Sequence, residues 1–164
     1  MIALTIWQPW CWGIAAGLKP VENRVWAPPA RAIGAPLAIH ASKRKLTTGD
    51  SEEALAFQLL VRIPEVGLRF RGERWPTWRE LPLGAVCAVV TLAGAVHESG
   101  RVLGPISVER AAAIRRDPFW VGPWGWVLDD VQALLEPVPC RGAQGLWTLP
   151  ANVEAAVRAA WRRP

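Results

Sequence analysis

The segment Gly17-Leu18-Lys19-Pro20-Val21-Glu22-Asn23-Arg24 sets a cation, an anion and a second cation in close succession. A lysine buried in a cleft by itself gives up its proton more readily and suits proton transfer, whereas beside a carboxylate it stays an ammonium and suits a phosphate or oxyanion. Glu22 can accept a hydrogen bond from an exocyclic amino group, as carboxylates do from cytosine, or act as a general base on a water. Arg24 can hold Glu22 or meet a phosphate. A plain ladder of ion pairs on an edge strand would show the same spacing. Upstream, Gln8 stands between Trp7 and Trp10. An amide flanked by indoles has the makings of a base-reading pocket, where stacking contributes about 1–3 kcal/mol per base; core packing of the same indoles is the competing role. His40 and Ser42 alternate along one run and can share a face, and Lys43-Arg44-Lys45 forms a cationic turn after them. Trp120, Trp124 and Trp126 crowd a Gly-Pro-Trp-Gly-Trp stretch that could close over a base or fill the core. The adjacent Asp129 and Asp130 fall at an expected turn, where Asp commonly bonds its own backbone.

These residues need elements to position them. Residues 2–6 read as a strand, and Pro9 with Gly17 brackets a helix over 9–16. Strands are expected over 19–26 and 36–41, with Pro28-Pro29 and Gly34 turning the chain between them. Asp50 and Glu53 resemble a capping box ahead of a helix over 51–62 that Pro64 stops, and a basic stretch over 69–79 carries Trp75 and Trp78. The Val- and Ala-rich run 85–96 predicts the long central strand. Ser107 can cap a helix reaching Arg116, which must end before Pro118. Short strands over 126–128, 134–138 and 146–149 are expected, separated by Asp129-Asp130, Pro139 and Arg141-Gly142. Asn152 can cap a last helix whose Val153, Ala156, Val157, Ala160 and Trp161 form an apolar stripe. No repeat or linker interrupts the chain, so residues 1–164 read as one α+β domain with a β centre and residues 150–164 as a helix packed on it.

Length and composition agree. The chain has 164 residues, 11 Trp beside no Tyr, and a formal charge of +5. Arginine supplies most of that charge, and a basic surface with flat aromatics suits an anionic, stackable ligand such as RNA, single-stranded nucleic acid or a modified nucleoside. No basic residue precedes Lys19, and the uncharged run 81–96 is shorter than the roughly 20 residues a membrane helix needs. A soluble, cytoplasmic chain without a membrane partner is therefore expected. Cys11, Cys87 and Cys140 are far apart and read as small buried hydrophobes. With only His40 and His97 as histidines, neither a metal centre nor a cofactor is indicated.

Gly17, Lys19, Glu22 and Arg24 fit the G-x-K-x-x-E-x-R motif of the ASCH domain, a member of the PUA-like superfamily of small β-barrels with flanking helices. Trp7-Gln8-Pro9-Trp10, Ile39-His40-Ala41-Ser42-Lys43, Gly125-Trp126-Val127-Leu128 and Gln144-Gly145-Leu146-Trp147 resemble the same family in the same order. The resemblance spans roughly residues 2–149 and resembles the stand-alone type of ASCH protein found in bacteria and archaea. It implies a PUA-like β-barrel that binds RNA or modified nucleobases in a cleft floored by the motif. It also implies two enzymatic alternatives. One bacterial group hydrolyses N4-acetylcytidine with the motif lysine, a threonine nucleophile and a glutamate, and the threonine position is Glu22 here. Another group is described as metal-independent ribonucleases that depend on the motif lysine and a serine, for which Ser42 is the candidate. A third implication is a protein-interaction module in transcription or translation complexes. The cleft is accordingly assigned Lys19 and Glu22 as the pair that could do catalysis, with Gln8, Trp10, Arg24, His40, Ser42, Lys43, Trp124 and Trp126 as ligand-binding residues.

Overall fold

Alternating apolar residues on short, β-branched runs bury one face of a strand on each side, so a sheet built from them must be covered twice. The computed structural model describes residues 1–43, 76 and 79–161. The helix expected over 51–62 lies outside these residues, as do Arg44, Lys45, Trp75, Trp78 and the last two arginines. In chain order the elements are β1 (Ile2–Ile6), α1 (Trp10–Ala15), β2 (Val21–Arg24), a 3₁₀ turn (Ala30–Ala32), β3 (Pro36–Ala41), β4 (Ala85–His97), β5 (Val102–Leu103), α2 (Val108–Arg116), β6 (Trp124–Pro139), β7 (Leu146–Thr148) and α3 (Ala151–Trp161).

The fold is α+β, a curled mixed sheet that forms a half-barrel with three helices among the described residues. Its strand order is β2-β6-β4-β3-β1-β7, with β5 paired to β4. Among the described strands only β1 and β3 run parallel, Thr5 lying opposite His40 and Ile6 opposite Ala41. Period 2 sorts the side chains: Leu4, Ile6, Leu37 and Ile39 point into the curl, where they meet Cys11 and Ile14 of α1 together with Leu92, Trp126 and Leu128. Ala3 and Ala38 face the other way and are covered by Val153 and Val157 of α3. A third cluster, including Val21, Val96, Phe119 and Val127, receives Ala111 and Ile114 of α2. Cys11 and Cys87 are buried as expected, whereas Cys140 is only half-buried.

Several boundaries differ from expectation for identifiable reasons. The strands expected over 126–128 and 134–138 are one strand, β6, because both halves pair with β4. Asp130 adopts φ 48 inside it, and the register shifts against β4 bend the ladder where a turn was expected. Its neighbour Asp129 makes a two-pronged ion pair with Arg110, one contact being 2.9 Å, which ties α2 to β6. Ser107 caps α2 as its position suggests, accepting from the Arg110 amide at 3.2 Å. Asn152 does not cap α3; it lies in the helix, and the Pro150 carbonyl accepts the amide of Glu154. Glu154 meets the Met1 ammonium and Arg158, and these hold its carboxyl below the usual carboxylate range.

Among the described residues Trp126 is the largest fully buried side chain; it stands edge-on to Trp26 and donates its Nε1–H to the Trp26 carbonyl at 3.2 Å. Trp126→Ala should lower unfolding free energy by about 3–5 kcal/mol in urea titrations, whereas exposed Trp7 truncated to Ala should cost well under about 1 kcal/mol. Equal losses would contradict this division of the indoles between core and surface.

Candidate functional site

The backbone of β2 places the motif. Val21 pairs with Val127, Glu22 with Trp126 and Arg24 with Trp124, so β2 is an edge strand zipped to the buried half of β6. Lys19 precedes the strand, its amide bonded to the Gly13 carbonyl at the end of α1, so its side chain approaches Glu22 from the helix side. Lys19 is only 4% exposed. Its Nζ lies 2.5 Å from the Val21 carbonyl and 2.5 Å from Glu22 Oε2. The other carboxylate oxygen, Oε1, is 3.1 Å from Arg24 Nη2. That same Nη2 donates to the Thr5 carbonyl at 3.3 Å, while Arg24 Nε is buried without a partner. Glu22 is thus clasped by two cations, one on each side of it.

The clasp separates two cavities. The first, about 320 Å³, is lined by Trp10, Lys19, Glu22, Asn23, Phe119 and Val121 together with Pro118. Asn23 shapes its wall, donating to the Phe119 carbonyl at 2.7 Å and accepting from the Val121 amide at 2.9 Å. Trp10 stands edge-on to Phe119, 6.2 Å between ring centres. The second cavity, about 520 Å³, lies beyond Arg24. Thr5 and His40 form its floor, Ser42 and Lys43 continue from β3, and residues 141–145 form the opposite wall. Trp7, 57% exposed, stands at its rim.

His40 is 1% exposed. Its Nε2 lies 3.2 Å from the Cys140 carbonyl, which can only accept, so Nε2 carries the proton and Nδ1 is left without a partner. The ring stands edge-on to Trp147, 5.6 Å away, and Trp147 donates to Thr5 Oγ1 at 3.1 Å. Gly142 packs directly on this imidazole: a Cβ there would fall 2.4 Å from Cε1 and 2.6 Å from Nδ1. Burial pushes the His40 pKa down, the Cys140 carbonyl opposes the shift, and nearby Lys43 adds to it.

The residues named from sequence therefore divide. Trp10, Lys19 and Glu22 meet around the first cavity, and Arg24, His40, Ser42 and Lys43 around the second. Three line neither. Gln8 is buried, accepting from the Trp12 amide at 3.0 Å and donating to the Pro82 carbonyl at 2.9 Å, so its amide is spent fixing the start of α1. Trp124 packs on His97, with Arg101 over its ring, and Trp126 fills the core. Thr5, Asn23, Phe119 and Arg141 were not singled out beforehand. Arg141 had a signal, since it is a cation inside a Gly-containing stretch between strands, but its neighbour across the fold is about a hundred residues away in sequence. Among the described residues no group of three or more His, Cys, Asp or Glu could hold a metal, and no helix is long and apolar enough to cross a membrane.

The curled half-barrel is consistent with the α+β, PUA-like fold class expected from the sequence. The ASCH domain model matches residues 4–116, and the chain belongs to the ASCH domain family, which is generally linked to RNA binding. Among solved structures, the ASCH protein of Zymomonas mobilis is similar at 17% identity, covering 96% of this chain and 93% of the other with a TM-score of 0.50. A single-substitution mutant of that protein is similar at 17% identity, covering 96% of both chains with a TM-score of 0.50. At that identity the likeness concerns the fold. No curated protein matches the sequence.

Two outcomes test this geometry. Lys19→Met and Glu22→Gln, measured singly and together by urea unfolding, should show a coupling of at least about 1 kcal/mol, because Glu22→Gln leaves the buried Lys19 ammonium without a carboxylate and Lys19→Met leaves Glu22 with Arg24 alone. Losses that simply add would mean the pair is not coupled. For His40 the folded-state pKa lies below its ordinary 6.5, so on acidification the unfolded chain takes up the proton first. Stability from this site is full above that ordinary value and falls as pH drops below it. Between pH 7.5 and 5 the protein should lose more stability than His40→Gln does; parallel curves would refute the assignment.

Proposed function

We propose that the chain binds single-stranded nucleic acid, RNA foremost, or a nucleoside carrying a modified base, through the cavity between Arg24 and the 141–145 wall. The observation that carries this is the convergence of Arg24, Lys43 and Arg141 on a cavity with an exposed indole, Trp7, at its rim. Cations grip phosphate without regard to sequence, and an exposed aromatic face stacks any base. The family's general link to RNA adds support. The 164 residues are taken as one ASCH domain, with α3 packed on β6 and Glu154 paired to Met1. The cytoplasm, where RNA is met, is proposed as its place, and no cofactor is needed for binding.

A second reading has its own observation: the Lys19–Glu22 pair opens on the Trp10 cavity, as a hydrolase acting on an acylated cytidine or a ribonuclease would require. Each oxygen of Glu22 already accepts from a cation, and the position that carries a threonine in the acetylcytidine-hydrolysing group offers no hydroxyl. That arrangement favours holding a ligand over attacking one.

Single-stranded RNA should quench tryptophan fluorescence, with affinity falling steeply as salt rises, and Trp7→Phe should remove most of the signal. Absence of quenching at low salt by RNA, single-stranded DNA and nucleosides would sink the proposal. Incubation with N4-acetylcytidine and with labelled RNA, beside Lys19→Ala, decides the second reading: turnover lost in the variant would make the chain an enzyme.

A further inference from the structure

Resting on the nucleic-acid reading, we infer that the Arg24–Lys43–Arg141 cavity is built for a phosphate monoester, the phosphorylated end of an oligonucleotide or a nucleotide, rather than for a phosphodiester running through it. Three cations reach this cavity from three separate places: the end of β2, the segment after β3 and the segment after β6. No carboxylate is among the described residues that line it. A monoester carries about −1.5 to −2 charges near neutrality and offers three acceptor oxygens, where a diester carries one charge. The charge of the lining therefore matches an end better than a passing strand.

His40, with Gly142 packed against it, closes the floor beneath these cations. The donors are held in place before any ligand arrives. Arg24 is fixed through one nitrogen, Nη2, by Glu22 and the Thr5 carbonyl. Its Nε remains a buried donor with no partner, a costly state that an anion oxygen beside it relieves. Lys43 is laid along Gly84, where a Cβ would come within 2.6 Å of Cε and 2.7 Å of Cγ. With φ +61 and no side chain, Gly84 leaves the slot that the lysine stem occupies. Glu22 is then a positioning residue, since its Oε1 sets the guanidinium that faces the cavity. A phosphate seated between these cations puts the attached nucleoside toward Trp7 at the rim.

The test titrates the full chain, at one fixed salt concentration, with the same oligouridylate bearing a 5′-phosphate, a 3′-phosphate or hydroxyls at both ends. At least one phosphorylated form should bind about tenfold or more tighter than the hydroxyl form, the scale of one or two charge-assisted hydrogen bonds. Arg141→Gln and Lys43→Gln, both at exposed positions, should abolish that advantage while leaving the melting temperature unchanged. Equal binding of all three oligonucleotides overturns the monoester assignment and leaves nucleic-acid binding standing. A phosphate advantage that survives both substitutions also overturns it, because the phosphate then sits elsewhere. If none binds, both proposals fall.

Discussion

A lysine ammonium that is only 4% exposed must have its charge met from within the protein, and here one carboxylate does it. Taking an ammonium and a carboxylate out of water costs several kcal/mol each, and their attraction offsets this only when geometry is close and the remaining hydrogens are bonded. Lys19 meets the first closely, with Glu22 Oε2 at 2.5 Å, and places a second hydrogen on the Val21 carbonyl. The clasp therefore constrains everything around it. The end of α1 must deliver Lys19, β2 must stay zipped to β6 to present Glu22, and Arg24 must turn toward β1 to share the same carboxylate. One four-residue edge strand thus organises both cavities.

The long β4 and β6 make that edge strand rigid. β6 runs from the buried tryptophans beside β2 to the exposed end that α3 crosses, so one strand carries the motif's backing and the seat of the last helix. The Arg110–Asp129 pair fastens α2 at its midpoint, where Asp130 bends the ladder. The same bend lets a single strand serve two faces of a curled sheet.

Much of this was legible in sequence because the signals are local. The short apolar runs at 2–6 and 36–41, the capping Ser107 and the Gly17–Arg24 motif each need only a few neighbours to interpret. What could not be read depends on partners far along the chain. Two adjacent aspartates signal a turn by their own chemistry, and only pairing with β4 on both sides turns the same residues into a bulge. Spacing put Lys19, Glu22 and Arg24 in close succession, but nothing local shows that Lys19 and Arg24 reach Glu22 from opposite sides and so divide one expected cleft in two. Gln8 misled for a related reason. An amide between indoles looks the same whether it reads a base or caps a helix, and the Pro82 carbonyl that holds it lies 74 residues away.

The tryptophans and cations, so conspicuous as totals, owe their meaning to burial. Trp126 is core, Trp147 braces His40 and Trp7 stands in the open, though all are the same side chain. The cations divide likewise: Lys19 is consumed inside, Arg110 and Arg158 pair with carboxylates, and Lys43 and Arg141 face a cavity with no carboxylate among the described residues that line it. Net charge sets the long-range attraction of the chain for any polyanion, but local imbalance decides where the polyanion docks. Internal pairing takes Lys19, Arg110 and Arg158 out of that competition, while Lys43 and Arg141 stand on the side of the clasp where Arg24 Nε still lacks a partner.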